Sequence, residues 1–225
     1  MISVVVRARN EGSWMTRCMR ALRMLHASKE LDLILVDNDS TDNTVAIAKD
    51  FGARVVSISQ ERFSFGRALN VGIVEARFEV VALLSSHCVP VNDLWALYLN
   101  GHFADDREGV VCGVYGRQEP LPETSMTDRR DLWTTFREER VRQTKDHFFH
   151  NANSAIRKSV WDKHPFNEQI RGVEDREWGK RMIGLGQQII YEPNARVYHY
   201  HGIHHGQDEA RAKRVAEVIE YIRGI

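Results

Sequence analysis

The chain has 225 residues, 43% hydrophobic and 28% charged, with 31 basic against 31 acidic side chains and a formal net charge of zero. That length and balance suit one globular domain that folds without disulfide or metal staples. They exclude a disordered chain and a nucleic-acid binder held by a global positive field.

The three cysteines, Cys18, Cys88 and Cys112, form no paired motif, which reads as buried thiols in a reducing compartment. No stretch approaches the ~20 apolar residues of a membrane span. The opening MISVVVRARNEG runs from apolar residues into charge without the cleavage region of a signal peptide. The expected location is therefore cytoplasmic, with peripheral association at the inner membrane face left open.

In chain order, Ile2 to Val6 is a β-branched run suited to a strand buried on both faces. A helix is expected after Gly12, with Trp14, Cys18, Ala21, Leu22 and Leu25 at helical spacing. Leu31 to Val36 reads as the second strand, and Asp39, Ser40 and Thr41 as N-cap candidates for a helix closed at Gly52. Strands are expected over Arg54 to Ile58 and Val80 to Leu84, with a helix over Gly66 to Ala76 between them. This alternation predicts an α/β fold with a mostly parallel central sheet flanked by helices.

The second half is less regular. Strands are expected over Gly109 to Gly116, Asn151 to Ile156 and Val197 to His201, and a helix over Val173 to Leu185. Residues 118–150 read as helix or mobile segment. The tail from Asp208 to Ile222 sets Val215, Val218, Ile219 and Ile222 on one helical face. Its mixed Glu, Arg and Lys face favours packing over a membrane surface. With no repeat or linker, one domain is expected over 1–225, divided as 1–117, 118–205 and a C-terminal helix 206–225.

Ligands of open parallel sheets bind beyond the carboxyl ends of the strands. Three polar clusters fall there: Arg7 with Arg9, Asn10 and Glu11; Asp37 to Asp42; and Ser85, Ser86 and His87. Helix capping accounts for Asp39 to Thr41 but poorly for Asp37, which stands at the strand tip where a base or ribose can be read. Arg7 and Arg9 suit a diphosphate better than they suit idle solvated charges. Neither GxGxxG after the first strand nor GxxxxGK[ST] anywhere is present, which removes the usual dinucleotide and P-loop readings.

The segments VVVRARNEG, LILVDNDSTDNT, FSFGRALNVGIVEA, VVALLSSHCVP and VCGVYGRQEP, in this order, resemble the family 2 glycosyltransferases. HNANSAIRKSVWDKHPFNE, GVEDREWGKRMIGLG and YEPNARVYHYH extend the likeness over roughly residues 2–205. The GRQ-P and N-A-NSA segments most resemble rhamnosyltransferase-like members that build bacterial surface polysaccharides. The resemblance implies a Rossmann-like GT-A fold and inverting transfer from a nucleotide-sugar donor to a glycan or lipid-linked glycan hydroxyl.

Residue by residue, the resemblance implies that Asp37 contacts the base, with Asp39 in the same loop. Arg7, Arg9, Asn10, Glu11 and Ser86 line the donor pocket, while Arg67 and Asn70 reach toward the diphosphate. Glu174 and Asp175 match a pair whose aspartate is usually the general base. By position alone the two also read as an acidic helix start. Trp178, one turn on, reads equally as an acceptor-sugar contact or a core tryptophan.

One departure stands out. Where the family carries an acidic metal-binding motif, this chain has Ser85-Ser86-His87, with no carboxylate between Glu79 and Asp93. A divalent ion (Mn or Mg by resemblance, the softer Mn by imidazole chemistry) would then rest on His87 and on His199, which matches a histidine across the diphosphate. The alternatives are a phosphate bonded by His87 without metal, a donor activated by a nucleoside monophosphate, or a homologue that binds nucleotide or glycan without catalysis. His102, His147, His150 and His164 read as ordinary surface or core imidazoles.

Overall fold

The computed structural model of the chain describes residues 1–25, 31–170 and 172–201. His204, His205 and the expected C-terminal helix lie outside the described residues. The first half alternates as expected: β1 (Ile2–Ala8), α1 (Gly12–Met24), β2 (Leu31–Asp37), α2 (Thr44–Asp50), β3 (Arg54–Ser57), α3 (Phe65–Val74) and β4 (Val80–Ser85). β1 lies between β2 and β4 and is parallel to both, and β3 lies parallel outside β2.

The uninterrupted apolar run of β1 follows from its central place. Val4 and Val6 face Met15, Cys18 and Leu22 of α1, while Val5 faces the layer holding Ala68, Leu69 and Ile73 of α3. A strand covered on both faces has no polar side to alternate with. The register pairs Ala8 with Asp37 and Arg7 with Ser85, so three strand tips finish level. The polar clusters are thereby gathered at one edge.

The second half contributes β5 (Cys88–Pro90), α4 (Trp95–Ala104), β6 (Val111–Pro120), α5 (Met126–Thr135), β7 (Val141–Gln143), β8 (Asn153–Arg157), α6 (Lys158–Trp161), α7 (Glu174–Gly184) and β9 (Gln188–His199). Across the sheet the order is β3-β2-β1-β4-β8-β6-β9-β5, with β7 also paired to β9. The expected parallel arrangement holds for β1 to β4. Beyond them the sheet is mixed, because β8 runs antiparallel to β4 and β6, and β5 and β7 antiparallel to β9.

Two features of this half place the site. The pairing of β5 with β9 sets Cys88 opposite His199 and so brings His87 beside it. A register shift between Gly116 and Gln118 bends β6 against β9. There the buried Asn153 amide inserts, donating to the carbonyls of Arg117 (3.0 Å) and Ala195 (2.8 Å) and accepting from Trp95 Nε1 (2.9 Å).

A Cβ at position 116 would stand 2.0 Å from the Ala195 carbonyl oxygen and 2.4 Å from Asn153 Nδ2. Gly116→Ala must therefore displace backbone or break this clasp, at a cost of about 1–3 kcal/mol. A urea melt should show a lower midpoint with an unchanged slope. An unaltered midpoint would show that β6 and β9 separate freely.

Candidate active site

The loops after β1 and β2 are sewn to each other. Asn10 N donates to Ser40 Oγ (2.9 Å) and Asn10 Oδ1 accepts from Thr41 N (2.8 Å). Glu11 N donates to Thr44 Oγ1 (2.8 Å) and Gly12 N to Asp42 Oδ2 (2.9 Å). Asn10 (φ 53°) and Asp39 (φ 59°) hold left-handed backbone that other non-glycine residues rarely adopt. The capping expectation for Asp39, Ser40 and Thr41 is corrected: α2 starts only at Thr44, and Ser40 and Thr41 are engaged by the β1 loop.

At the floor of these loops Asp37 is 4% exposed. Its Oδ2 accepts from Ser40 N (3.2 Å), while Oδ1 makes no hydrogen bond within the protein. A buried carboxylate oxygen in that state is an acceptor suited to an N–H or O–H brought by a ligand. Arg9 and Asp39 stand exposed at the loop tips, and Ser86 is buried with its N–H on the Arg7 carbonyl (3.1 Å).

Arg7, at the end of β1, has its pKa lowered by burial, against the pull of Glu174 and Asp175 that favours its charge. Its guanidinium lies 5.3 Å from the centroid of the Phe65 ring, and its Nε makes no hydrogen bond. Glu174 and Asp175 open α7. The Asn151 side chain donates to Glu174 Oε1 (3.3 Å), the Asn151 backbone N–H to Asp175 Oδ2 (3.1 Å), and the Arg176 N–H to Asp175 Oδ1 (2.8 Å).

Glu174 is 4% exposed, and burial pushes its carboxyl up to about 7, with the neighbouring Asp175 charge adding and Arg7 opposing. Asp175 is the more exposed of the two. One carboxyl poised to hold a proton thus stands next to one that can take a proton from a ligand.

The histidines form a second group. His87 Nδ1 lies 3.2 Å from Glu11 Oε1, and its ring stacks on His199 with centroids 5.1 Å apart and an interplanar angle of 8°. His201 meets His87 edge-on at 5.5 Å. His199 Nδ1 is 2.7 Å from Gln118 Oε1, and Gln118 Nε2 is 2.9 Å from His150 Nδ1. Burial lowers the His150 pKa to about 4, so the ring is neutral and Nδ1 accepts the amide proton.

These side chains do not fit a divalent ion as they stand. An imidazole ligates in its own plane, at about 2.0–2.1 Å for zinc, and two parallel stacked rings do not share a plane in which one ion can sit. Among the described residues, no group of three or more His, Cys, Asp or Glu side chains is arranged to hold a metal. The expected pairing of His87 with His199 is present as a stack, which is not the arrangement of two ligands around one ion.

Two further expectations are corrected. Asn70 donates to the Phe166 carbonyl (2.8 Å) and Glu168 Oε1 (3.0 Å) and accepts from Trp161 Nε1 (2.9 Å) and Phe166 N (3.1 Å). All four positions of its amide are spent on clasping α3 to residues 161–168, leaving none for a donor. Trp178 is fully buried between Phe149 and Phe166, with its indole N–H on the His164 carbonyl (2.8 Å), which leaves no ring surface for a sugar and makes it the core tryptophan of the two readings. Arg67 faces Glu168 at 3.4 Å on the rim.

Sequence reasoning missed Gln118, His150 and Asn151 as site residues. All three lie in the GRQ-P and HNANSA segments, which carried the resemblance, and that was the signal available.

Comparison with known proteins follows from this geometry. The model of "Glycosyl transferase family 2" matches residues 3–164. The O-antigen chain rhamnosyltransferase WbaN of Salmonella anatum is 27% identical over 180 residues, covering 75% of this chain and 56% of its own. The chain therefore spans little more than half the length of that relative. S. aureus TarS 1–349 superposes with a TM-score of 0.74 at 16% identity, over 98% of this chain and 64% of that one. The mannosyltransferase PcManGT of Pyrobaculum calidifontis, solved with GDP-Man and Mn2+, gives 0.71 at 16% identity, over 97% and 64%. Both structures establish the fold.

The Glu174 carboxyl is raised above its ordinary value of 4.5, so the native state holds its proton more tightly than the unfolded chain. The associated stability is full below 4.5 and lost as pH rises through 7. Glu174→Gln, neutral at every pH, should raise the melting temperature at pH 8 by roughly 5 °C and at pH 5 by much less. An equal shift at both pH values would contradict the burial of an ionising group.

Proposed function

Because the chain belongs to glycosyl transferase family 2, we propose that this glycosyltransferase takes a nucleotide-sugar as donor, inverts the anomeric centre and builds a bacterial surface polysaccharide. The observation that carries the reading is the meeting of Asp175, Arg7 and the Asp37 loop at one sheet edge. Asp37 Oδ1 suits an N–H of the base. The unspent donors of Arg7 suit an anionic phosphate.

In the transfer, the acceptor hydroxyl oxygen bonds to the anomeric carbon from the face opposite the leaving group. The bond from that carbon to the phosphate oxygen breaks, its electron pair leaves with the nucleotide, and the hydroxyl proton passes to Asp175. Burial raises the Glu174 carboxyl to about 7, so it holds its proton more readily than an exposed neighbour would. Arg7 meets the charge developing on the departing phosphate.

WbaN is named for O-antigen chains, which supports a glycan or lipid-linked glycan acceptor. TarS is also solved with UDP-GlcNAc, which supports a nucleoside diphosphate donor. No helix of the described residues is long and apolar enough to cross a membrane. The parallel stack of His87 and His199 favours a second form of the same reading, in which imidazole N–H groups bond the phosphate directly, or the donor carries one phosphate only. Thermal shifts with nucleoside mono- and diphosphates separate the two donor types.

Asp175→Asn should lower kcat by about 10^2–10^4 while nucleotide affinity stays within about twofold. Wild-type turnover in that variant would remove Asp175 from the role of base.

Chelation by EDTA addresses the metal separately. With imidazole N–H groups on the phosphate, nucleotide affinity should be unchanged by the chelator. A loss restored by Mn2+ would show that an ion arrives with the donor and draws the histidines into new positions.

A further inference from the structure

An aromatic cleft beside the site has no part in the reading above. Past Gln118, β6 continues to Pro120, and Leu121 and Pro122 then lead into α5. Between this turn, α5 and Tyr198 of β9 lies a cleft of about 570 Å3, lined by Pro120, Leu121, Pro122, Arg129, Trp133 and Tyr198. Trp133 is 57% exposed and Tyr198 37%.

The exposure of Trp133 is not the result of a loosely held helix. Beside Trp133, α5 buries Leu132 and, at its end, Phe136, in the same apolar layer as Trp178 and Met182 of α7. Ser125 caps the helix by accepting from Asp128 N (3.2 Å). Arg129 donates to the carbonyls of Thr124 (2.9 Å) and Pro122, locking the turn to the helix. The aromatic wall is therefore held in place before any ligand arrives.

Both ends of the cleft adjoin the candidate active site. Pro120 pairs with His199 in the sheet and stands two residues from Gln118. Phe136, three residues beyond Trp133, meets the His150 ring at 6.3 Å, and the residue after His150 holds Asp175 through its backbone N–H. The volume falls in the range of small-ligand pockets, which pair apolar walls with a few polar groups.

We propose that this cleft is a saccharide subsite, taking a pyranose unit of the acceptor glycan away from the reacting hydroxyl. The inference rests on the glycosyltransferase reading and names the part of the acceptor bound here. A pyranose ring has one face of C–H groups and a rim of hydroxyls. Trp133, Tyr198 and the two prolines offer flat apolar surface to the face. The Tyr198 hydroxyl and the guanidinium N–H groups of Arg129 not spent on carbonyls offer partners to the rim. An anionic membrane is the poorer occupant, since MTDRRDLWTT carries two Asp against two Arg and no basic excess.

The test reads binding without donor or turnover. Saturation-transfer NMR would use millimolar methyl glycosides of disaccharides built from hexoses and 6-deoxyhexoses, on the wild-type chain and on Trp133→Ala, Tyr198→Ala and Trp133→Phe. At least one disaccharide should bind, with affinity down tenfold or more in Trp133→Ala and largely kept in Trp133→Phe. In turnover, Trp133→Ala should raise the acceptor KM about tenfold with kcat and nucleotide affinity unchanged.

No saccharide signal in the wild type, or an equal signal in Trp133→Ala, overturns the subsite. Transfer activity with an acceptor KM indifferent to Trp133→Ala overturns the subsite alone. Saccharide binding that depends on Trp133, in a chain that never transfers sugar, overturns the catalytic reading and leaves the subsite standing.

Discussion

A guanidinium buried at the tip of the central strand needs negative charge nearby, and the fold is arranged to supply it. Burial works against the Arg7 charge, and Glu174 and Asp175, from the second half of the chain, favour it. A cation withdrawn from water without a counter-charge is costly. The charge of Arg7 is therefore favoured where α7 brings its acidic N-terminus to the same edge as β1. That proximity couples the strand-helix alternation of the first half to the mixed sheet of the second. Asn151 makes the coupling geometric, since one residue bonds both carboxylates.

The same edge shows why some of the molecule is legible in sequence and some is not. β1, β2 and β4 are apolar runs that end in polar residues, and strands buried on both faces must look that way. Asp37 is readable because an acidic residue at such a tip has no structural use that a neutral one lacks. α4 gave no signal: in WALYLNGHFA both the faces toward the sheet and the flanks are largely apolar, so periodicity has no contrast to show. β5 and β7, three residues each, are strands only because β9 lies beside them.

Asn70 and Trp178 mislead for a different reason. An amide that could hold a phosphate and an amide that clasps two segments are the same residue in sequence, and only the count of bonds made distinguishes them. The four bonds of Asn70 settle its role as structural. The reverse holds for His150, which reads as an unremarkable imidazole until Gln118 is seen joining it to His199. The amide oxygen of Gln118 faces His199 Nδ1 and its nitrogen faces His150 Nδ1, so one side chain fixes a proton at Nδ1 of the first ring and keeps Nδ1 of the second free of one. Such a link spans residues 118, 150 and 199 and leaves no local pattern.

The difference between Glu174 and Asp175 then follows from position rather than type. Both begin the same helix, where the backbone N–H groups favour negative charge. Two adjacent carboxylates beside a single guanidinium are nevertheless unequal once one is sealed and the other reaches solvent. Burial and the Asp175 charge raise the Glu174 carboxyl, while Asp175 accepts two backbone N–H bonds. A carboxyl raised by burial and one that reaches solvent thus stand side by side in the chain. Exchanging which of them is buried would move the raised carboxyl to the other position without changing the composition of the site.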